Sequence, residues 1–181
     1  MKKLFTLVLL LACLSSFAQE SSKKAKVPFK DRLVFSGDIA LNFSNFGSII
    51  GANPTVGYRV NDWLTSGIGA HYYYFSNSFS NTSLYGGQIF TRAEVFEGAF
   101  VITEFQQTNT EVYRVTNQPD PLPSIIETER KWIPQWYVGA GYYQNLGGNI
   151  RIGGSILYDL IDDLDSPWSN PQIRGGVIIG I

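Results

Sequence analysis

The chain has 181 residues, of which 44% are hydrophobic and only 16% are charged, and its formal net charge is −1. The charged fraction lies below the roughly 25% that is usual in soluble domains, and the length suits a single domain. Glycine (18 residues), phenylalanine (12) and tyrosine (10) are frequent, which favours strands and turns over helices. The lack of a basic surplus excludes the electrostatic profile of a nucleic-acid-binding protein.

The N-terminus has the three parts of a secretory signal peptide. Lys2 and Lys3 form a basic region, residues 4–14 form an apolar run, and Ala18 is the small residue before the cleavage point. The apolar run of 11 residues is too short for a membrane-spanning helix, which needs roughly 20. We therefore expect that residues 1–18 are removed as a signal peptide and that the protein is exported.

The only cysteine, Cys13, leaves a second interpretation of this region open. It stands where a lipoprotein could be cleaved and lipidated, although Leu11 fits that motif poorly. Removal of the signal peptide instead leaves a mature chain without cysteine, hence without a disulfide or a thiolate metal site. Residues 19–31 are polar and lysine-rich, and we expect them to form a short disordered leader.

From residue 32 onward, apolar and polar residues alternate with the period of two that is typical of strands. Eight strands are predicted, at residues 32–43, 51–60, 64–75, 84–96, 99–115, 125–145, 149–160 and 171–181. Three short connections alternate with four longer ones, the short ones at 61–63, 97–98 and 146–148 and the longer ones at 44–50, 76–83, 116–124 and 161–170. Short turns at one end and long loops at the other are the pattern of a transmembrane β-barrel, and an even strand number places both termini on the periplasmic side.

The two faces of the predicted strands indicate which side of the barrel meets lipid. In the seventh strand, one face carries Ile150, Ile152, Gly154, Ile156, Tyr158 and Leu160. The opposite face carries glycine, polar residues and single charges such as Arg151 and Asp159. A membrane barrel has an apolar outer surface and a polar, filled lumen, which is the reverse of a soluble barrel. Residues 32–181 are therefore predicted to form one all-β domain, a single antiparallel up-and-down transmembrane β-barrel of eight strands.

Several segments resemble small outer-membrane barrels. The C-terminal segment resembles the terminal signal that the barrel-assembly machinery reads, with its key positions at Arg174, Gly176, Ile179 and Ile181, although Ile181 replaces the usual aromatic residue. Residues 54–64 resemble the second hairpin of small barrels common in the Bacteroidota, and residues 90–92 and 137–142 share this resemblance. Aromatic residues near the strand ends resemble interfacial girdles, among them Trp63, Trp132, Trp136 and Tyr142.

The family that these segments resemble is that of eight-stranded outer-membrane barrels similar to the OmpA membrane domain and OmpX. The resemblance covers essentially the whole mature chain. It implies an outer-membrane location, contact with outer-membrane lipid and lipopolysaccharide, and the barrel-assembly machinery as a partner during biogenesis. It carries over no catalytic residue, and no cofactor or metal is expected.

Eight charged residues have the lumen-facing register of the predicted strands: Asp38, Arg59, Arg92, Glu94, Glu104, Arg151, Asp159 and Arg174. A turn centred on residues 97–98 places Arg92 opposite Glu104, where guanidinium and carboxylate can pair. The geometry of the last short turn likewise places Arg151 near Tyr143. Because about eight strands leave room only for side chains, we interpret these charges as a network that plugs the lumen. A narrow conduction path is the alternative.

His71 and an acidic cluster are the other candidate functional residues. His71 is the only histidine, and a hydrolase or acyltransferase would need it beside a nucleophile, such as Ser66 or Ser76, and an orienting acid. No spacing joins these residues, so His71 is interpreted as a polar lumen or rim residue. Four aspartates around the last loop offer oxygen ligands for calcium or for divalent-bridged lipopolysaccharide, but a solvated loop is preferred: Asp159, Asp162, Asp163 and Asp165.

Residues 106–131 carry charges on both faces of the predicted strands, an arrangement that lipid would not accept. These charges are Glu111, Arg114, Glu127, Glu129, Arg130 and Lys131. We predict that the fifth and sixth strands extend beyond the bilayer as a hairpin capped by residues 119–123. The edges of this hairpin could pair with a strand of an extracellular partner. An irregular, rigid surface loop is the alternative.

The predicted function is that of a non-enzymatic outer-membrane barrel with a plugged polar lumen. Its role would be structural, or one of surface interaction through the outer loops, chiefly the 106–131 hairpin. The alternatives are a lipid-modifying outer-membrane enzyme centred on His71, a narrow pore, and a soluble lipocalin-like carrier. The carrier would require an apolar lumen, contrary to the predicted faces.

Overall fold

The computed structural model describes residues 28–44, 47–76, 81–116, 125–168 and 170–180. Several predicted features lie outside these ranges, namely the signal peptide at 1–18, most of the leader, the hairpin cap at 119–123 and Ile181. Among the described residues, no helix is both long and apolar enough to cross a membrane.

Eight antiparallel strands follow one another in chain order around a closed barrel, and the last strand pairs with the first. The strands are β1 (Leu33–Ser44), β2 (Gly47–Arg59), β3 (Leu64–Ser76), β4 (Asn81–Phe96), β5 (Ala99–Thr116), β6 (Ile125–Gly147), β7 (Ile150–Asp159) and β8 (Gln172–Gly180). The prediction of an all-β, up-and-down barrel of eight strands is confirmed.

Two of the predicted long connections are shorter than the sequence indicates. The β1–β2 ladder continues to the pair Ser44–Gly47, and the β3–β4 ladder continues to the pair Ser76–Asn81. The predicted connections at 44–50 and 76–83 are therefore wrong in extent. Asn, Ser and Gly suggest a loop by their turn preference, but backbone pairing between strands does not require apolar side chains.

The residues just before β1 form a short 3-10 turn, Phe29–Arg32, rather than the disorder predicted for the leader. The Phe29 ring stacks on the ring of Tyr58 with 5.2 Å between centroids. Arg32 Nη1 donates a hydrogen bond to the carbonyl oxygen of Val60 at 3.1 Å. These two contacts attach the start of the barrel to the end of β2.

The outward side chains of the barrel are largely apolar and exposed. Ile68 and Ile89, at the middle of β3 and β4, are 66% and 60% exposed. The same holds for Ile39, Val56, Val101, Ile156, Ile173 and Val177. The inward side chains include many buried polar groups, among them Asn53, Gln88, Glu104, Gln106, Thr108 and Gln135. The faces therefore have the polarity that the alternation predicts, which is the reverse of a soluble barrel.

Inward-facing glycines let large side chains cross this narrow interior. A Cβ at Gly67 would lie 2.8 Å from a ring carbon of Phe90, and a Cβ at Gly86 would lie 2.7 Å from Nε2 of His71. Both distances are too short for a real contact. The rings of Phe90 and His71 therefore occupy the space that a side chain at Gly67 or Gly86 would need.

A β-bulge changes the neighbours across β4 and β5. The register of this pair shifts within residues 94–96, so that Arg92 lies opposite Ile102 and Glu104 lies opposite Phe90. The predicted pair of Arg92 with Glu104 is therefore wrong. The turn pair Phe96–Ala99 alone would place Arg92 opposite Thr103, one residue short of Glu104, and the bulge shifts Arg92 by one further residue to Ile102.

A second bulge lies between β6 and β7, within residues 145–147. It places Arg151 opposite Asn145, and Tyr143 opposite Gly153. Arg151 and Tyr143 are thus diagonal neighbours, and both line a cavity of about 150 Å³ near the β4–β5 turn. The structure brings these two residues to the same place without making them direct partners.

An arginine in the middle of the outward face tests whether that face meets lipid. Ile89 lies halfway along β4, whereas Val95 lies near the turn into β5. We expect Ile89→Arg to lower the free energy of unfolding by about 2–4 kcal/mol and Val95→Arg by about 0–1 kcal/mol, because the cost of a charge in lipid depends on depth. Urea titration of the protein folded in lipid vesicles measures both values. Equal, small effects would contradict lipid contact.

Candidate functional site

A buried ion pair lies at the centre of the lumen. Arg174 Nη1 on β8 lies 2.8 Å from Glu104 Oε1 on β5, and the two side chains are 10% and 3% exposed. Arg174 Nε and Nη2 also donate hydrogen bonds to Gln172 Oε1 at 3.0 and 2.8 Å. The guanidinium carbon lies 5.1 Å from the centroid of the Tyr137 ring. Burial of a charge is costly unless the charge is paired and hydrogen-bonded, and Arg174 meets both conditions.

A second carboxylate, that of Asp38, faces the same region. Asn53 Nδ2 donates a hydrogen bond to Asp38 Oδ2 at 2.9 Å, and the Tyr73 hydroxyl donates to Asp38 Oδ1 at 3.4 Å. Asp38, Glu104 and Arg174 line a cavity of about 50 Å³. Such a volume holds one or two water molecules, whose share of liquid volume is roughly 30 Å³ each. Side chains thus fill most of the lumen at this level.

A layer of amide and hydroxyl groups surrounds His71. His71 Nε2 lies 3.1 Å from Thr108 Oγ1, which donates to Gln135 Oε1 at 2.9 Å. Gln106 Nε2 donates to the same oxygen at 2.7 Å. All four side chains are buried. The structure therefore places His71 inside the lumen, hydrogen-bonded to a threonine and not to Ser66 or Ser76.

The connection between β7 and β8 folds over the outer mouth of the barrel. Lys131 Nζ lies 2.7 Å from Asp165 Oδ2, and Gln135 Nε2 donates to Ser166 Oγ at 3.2 Å. Trp168 packs edge-on against Tyr73, with 4.8 Å between ring centroids. The hydrogen bond from Lys131 holds the pKa of the Asp165 carboxyl below its usual value. These contacts hold the connection across the lumen at this end.

The aspartates of this connection are engaged with the protein itself. Asp159 Oδ1 accepts hydrogen bonds from the backbone N–H groups of Trp136 and Ile161, both at 3.0 Å. Asp162 Oδ1 accepts from Asn170 Nδ2 at 3.0 Å. Within the described ranges, no three His, Cys, Asp or Glu side chains are grouped as metal ligands would be. Asp159 thus provides a hydrogen-bond acceptor for backbone N–H groups where β7 ends.

The remaining lumen charges lie at the opposite end, near the short turns. Arg151 Nη1 lies 3.1 Å from Glu94 Oε2, and Glu94 Oε1 accepts a hydrogen bond from the Gly98 backbone N–H at 3.2 Å. The Arg92 guanidinium lies 5.6 Å and 5.5 Å from the ring centroids of Phe100 and Tyr143. Arg59, Arg92, Glu94 and Arg151 line one cavity of about 290 Å³.

The eight predicted lumen charges thus form two groups, and Asp159 lies apart from both. Asp38, Glu104 and Arg174 meet at the centre, Arg59, Arg92, Glu94 and Arg151 meet at the turn end, and Asp159 lies at the outer mouth. Sequence reasoning missed the layer around His71. Gln106 and Thr108 follow Glu104 at intervals of two residues and therefore share its face of the strand. This pattern is a sequence signal for two of the four side chains in the layer.

The residues of the predicted assembly signal lie on both faces of β8. Arg174 and Gly176 face the lumen, and Ile179 is outward and 48% exposed. Ile181 lies outside the described residues. The structure therefore shows where three of these residues lie, and their role in assembly stays a prediction.

The β5–β6 hairpin is longer than the strands beside it. Its ladder continues to the pair Thr116–Ile125, whereas β4 joins β5 only from Asn109 inward and β7 joins β6 only from Tyr137 inward. Beyond those points the described pairing is two-stranded. The hairpin therefore continues past its neighbours as a ribbon of residues 110–116 and 125–131, whereas residues 106–109 of the predicted hairpin still pair with β4 in the barrel.

Arg130 ties the base of this ribbon to the barrel. Its Nη2 donates to the Ser83 carbonyl oxygen at 2.6 Å, and its Nε donates to Asn109 Oδ1 at 2.8 Å. Its Nη1 lies 3.0 Å from Glu111 Oε1, and its guanidinium carbon lies 5.2 Å from the ring centroid of Tyr85. One side chain thus joins β4, β5 and β6 at the point where the ribbon leaves the barrel.

A closed barrel of eight strands with an apolar outer surface and a polar lumen is the architecture of the small outer-membrane-type barrels. Among solved structures, the chain is similar to the N-terminal β-barrel domain of Pseudomonas aeruginosa OprF, with a TM-score of 0.44 and 13% sequence identity. That similarity covers 83% of this chain and 98% of the OprF domain. No protein-family model matches the sequence, and no curated protein matches it either.

Single substitutions on each side of the two ion pairs compare the central pair with the one at the turn end. We expect Glu104→Gln or Arg174→Gln alone to lower the free energy of unfolding by about 3–5 kcal/mol, because each leaves a buried charge without its partner. Glu94→Gln or Arg151→Gln should cost about 1 kcal/mol or less, since these side chains are 35% and 39% exposed. Urea unfolding in vesicles provides the values. Similar costs at both pairs would show that the lumen centre is hydrated.

Proposed function

We propose that the chain is a non-enzymatic outer-membrane barrel with a plugged lumen, and that the ribbon, which is the part of the predicted 106–131 hairpin beyond Asn109, is its surface for interactions outside the cell. The observation that carries this proposal is the β5–β6 ladder, which continues past both neighbouring strands to Thr116–Ile125. The charges of that ribbon are not compatible with lipid, so its length serves contact with water and with other molecules.

The outward apolar face supports an outer-membrane location. Exposed isoleucines such as Ile68 and Ile89 lie between exposed aromatic residues, with Trp132 and Trp136 toward one end and Trp63 at the other. Aromatic rings favour the interface between lipid and water, so this arrangement suits a band of hydrocarbon around the barrel. The predicted signal peptide provides the route of export, and the short turns then face the periplasm.

The packing of the lumen supports a plug and not a pore. Thr108 and Gln135 are fully buried, and Glu104 and Gln106 are 3% exposed. Below this layer the lumen narrows to a cavity of about 50 Å³, which Asp38, Glu104 and Arg174 line. The mouth above it is covered by Trp168 and its neighbours. A barrel of this strand number leaves an interior that side chains can fill, which agrees with this packing.

The environment of His71 supports a non-enzymatic role. A hydrolase or acyltransferase places a histidine between a nucleophile and an orienting acid, within reach of substrate. His71 contacts the Thr108 hydroxyl through Nε2, but its buried Nδ1 has no hydrogen-bond partner among the described residues. Both side chains are at most 4% exposed. A lipid in the outer leaflet would therefore have no access to this pair.

The ribbon offers a partner two kinds of contact. Its outer surface carries exposed polar side chains, including Arg114, Thr128 and Glu129. Its strand edges carry backbone groups that neither β4 nor β7 pairs in the described residues. An extended peptide can add to such an edge through main-chain hydrogen bonds. An extracellular partner chain or lipopolysaccharide at the ribbon is therefore part of this proposal.

Membrane fractionation and gel mobility test the location and the stable barrel together. We expect the protein in the outer-membrane fraction, with a different mobility in unboiled and boiled samples, because a closed barrel resists detergent until it is heated. The Arg174→Gln variant serves as a control, since a destabilised barrel should lose the shift at a lower temperature. A soluble periplasmic protein without a shift would overturn the proposed location and favour a soluble ligand-binding barrel.

Cysteine labelling tests the orientation and the role of the ribbon. With the signal peptide removed the chain has no native cysteine, so Glu129→Cys in the ribbon and Asn149→Cys in the β6–β7 turn are each unique sites. In intact cells, a membrane-impermeant maleimide should label residue 129 and not residue 149. Labelling of residue 149 alone would invert the orientation.

A contact at the ribbon should also slow the labelling there. We expect Glu129→Cys to react more slowly in intact cells than in purified protein, because a partner or lipopolysaccharide covers it. Leu164→Cys is the matched control at the same end, since Leu164 is fully exposed and lies outside the ribbon. Equal rate ratios at both sites would overturn the interaction role and leave the outer-membrane location intact.

A further inference from the structure

The end of the barrel that carries the short turns contains a cavity of about 290 Å³. Inward side chains of β2, β4 and β7 line it together with the turns, and the charged ones are Arg59, Asp62, Arg92, Glu94 and Arg151. Its volume lies near the lower end of small-molecule sites, which span roughly 300–1,000 Å³. This mouth takes no part in the proposed contact at the outer ribbon.

The charges of the lumen are unevenly distributed along its axis. Three guanidinium groups and two carboxylates line the mouth at the turn end, a surplus of one positive charge. At the centre no surplus arises, because Arg174 and Arg92, which borders both cavities, face the two carboxylates of Asp38 and Glu104. Low-dielectric walls focus the field of such groups, so the turn end attracts anions more strongly than the centre does.

The mouth is also rich in hydrogen-bond donors. The Glu94 carboxylate already accepts from Arg151 and from the Gly98 backbone N–H, which reduces its capacity to neutralise other cations. Arg92 is held against the rings of Phe100 and Tyr143, so its planar group is fixed before any ligand arrives. Guanidinium groups match phosphate and carboxylate oxygens through paired N–H donors.

We propose that this mouth binds a small anion with a phosphate or carboxylate group, held by Arg59, Arg92 and Arg151. Arg59 is exposed at the rim and meets the ligand first, whereas Arg92 lies deeper, beside the aromatic rings. The anion belongs either to a soluble molecule that enters along the barrel axis or to a lipid headgroup at the membrane surface. The chemistry recognised is the same in both cases.

Titration with inorganic phosphate tests the site in a detergent that carries neither phosphate nor carboxylate. Saturable shifts in the amide NMR signals of Gly148 and Asn149, which line the cavity, are the expected result. We expect Arg59→Gln or Arg151→Gln to weaken binding about tenfold, because each removes a charge a few ångströms from the anion. Glu94→Gln should strengthen binding about threefold, since it removes a repulsive carboxylate.

Arg32→Gln is the matched control, because Arg32 lies at the same end and donates to Val60, but does not line the cavity. It should leave the affinity unchanged. Shifts that do not saturate, or an equal loss in Arg32→Gln and Arg59→Gln, would overturn the site and indicate only a diffuse surface charge. Because the measurement uses folded protein in detergent, its outcome is independent of the role of the outer ribbon.

A second titration, in phosphatidylcholine vesicles with and without added phosphatidylglycerol, identifies the source of the anion. Competition by the anionic lipid would assign the site to a headgroup. An unchanged affinity would assign it to a soluble molecule of the periplasm. A loss of phosphate binding in both kinds of vesicle would overturn the proposal, since it would show that the mouth is closed in a bilayer.

Discussion

Closure of the backbone hydrogen-bond ladder is the constraint on which the rest of this structure depends. In the described part of the chain, β8 joins β1 over five residue pairs, from Val34–Gly180 to Asp38–Gly176. These pairs convert a sheet with two edges into a barrel with none, which a membrane requires because unpaired backbone groups in hydrocarbon cost several kcal/mol each. Closure with eight strands also limits the interior to the width that side chains can fill.

The narrow interior determines how the lumen charges are satisfied. Residues far apart in the chain become neighbours across it, as with Arg174 and Glu104, which are 70 positions apart. A charge in such a space must find its partner on a facing strand or remain near the water at one end. The more buried pair lies at the centre, and the pair of Arg151 with Glu94 lies near the turns, where its side chains are about one third exposed. The lumen charges therefore form two groups because the centre of the barrel is buried, whereas the turn end is open to water.

The sequence predicts those features that depend on local alternation, and not those that depend on closure. Alternation along β7 correctly indicated which side chains face outward, because successive side chains of a strand point to opposite faces of the sheet. The partner of Glu104 could not be found in this way, since it depends on how the sheet curves round to β8. The pair of Arg92 with Glu104 is wrong because the turn pair Phe96–Ala99 sets a register one residue away from it, and a bulge within residues 94–96 adds a further shift that no turn signal reveals. The turn at Phe29–Arg32 was missed because its stacking on β2 is a tertiary contact.

The two ends of the barrel present surfaces of different kinds. At the outer end, Trp168 and the pair of Lys131 with Asp165 lie across the lumen, and the ribbon presents its exterior and its strand edges. At the turn end the lumen itself is open, and guanidinium groups line it. Between these ends, Arg174 and Glu104 form the buried ion pair of the lumen. β5 and β6 connect the two surfaces directly, because they run from the turn end into the ribbon and carry Glu104 and Gln135 between them.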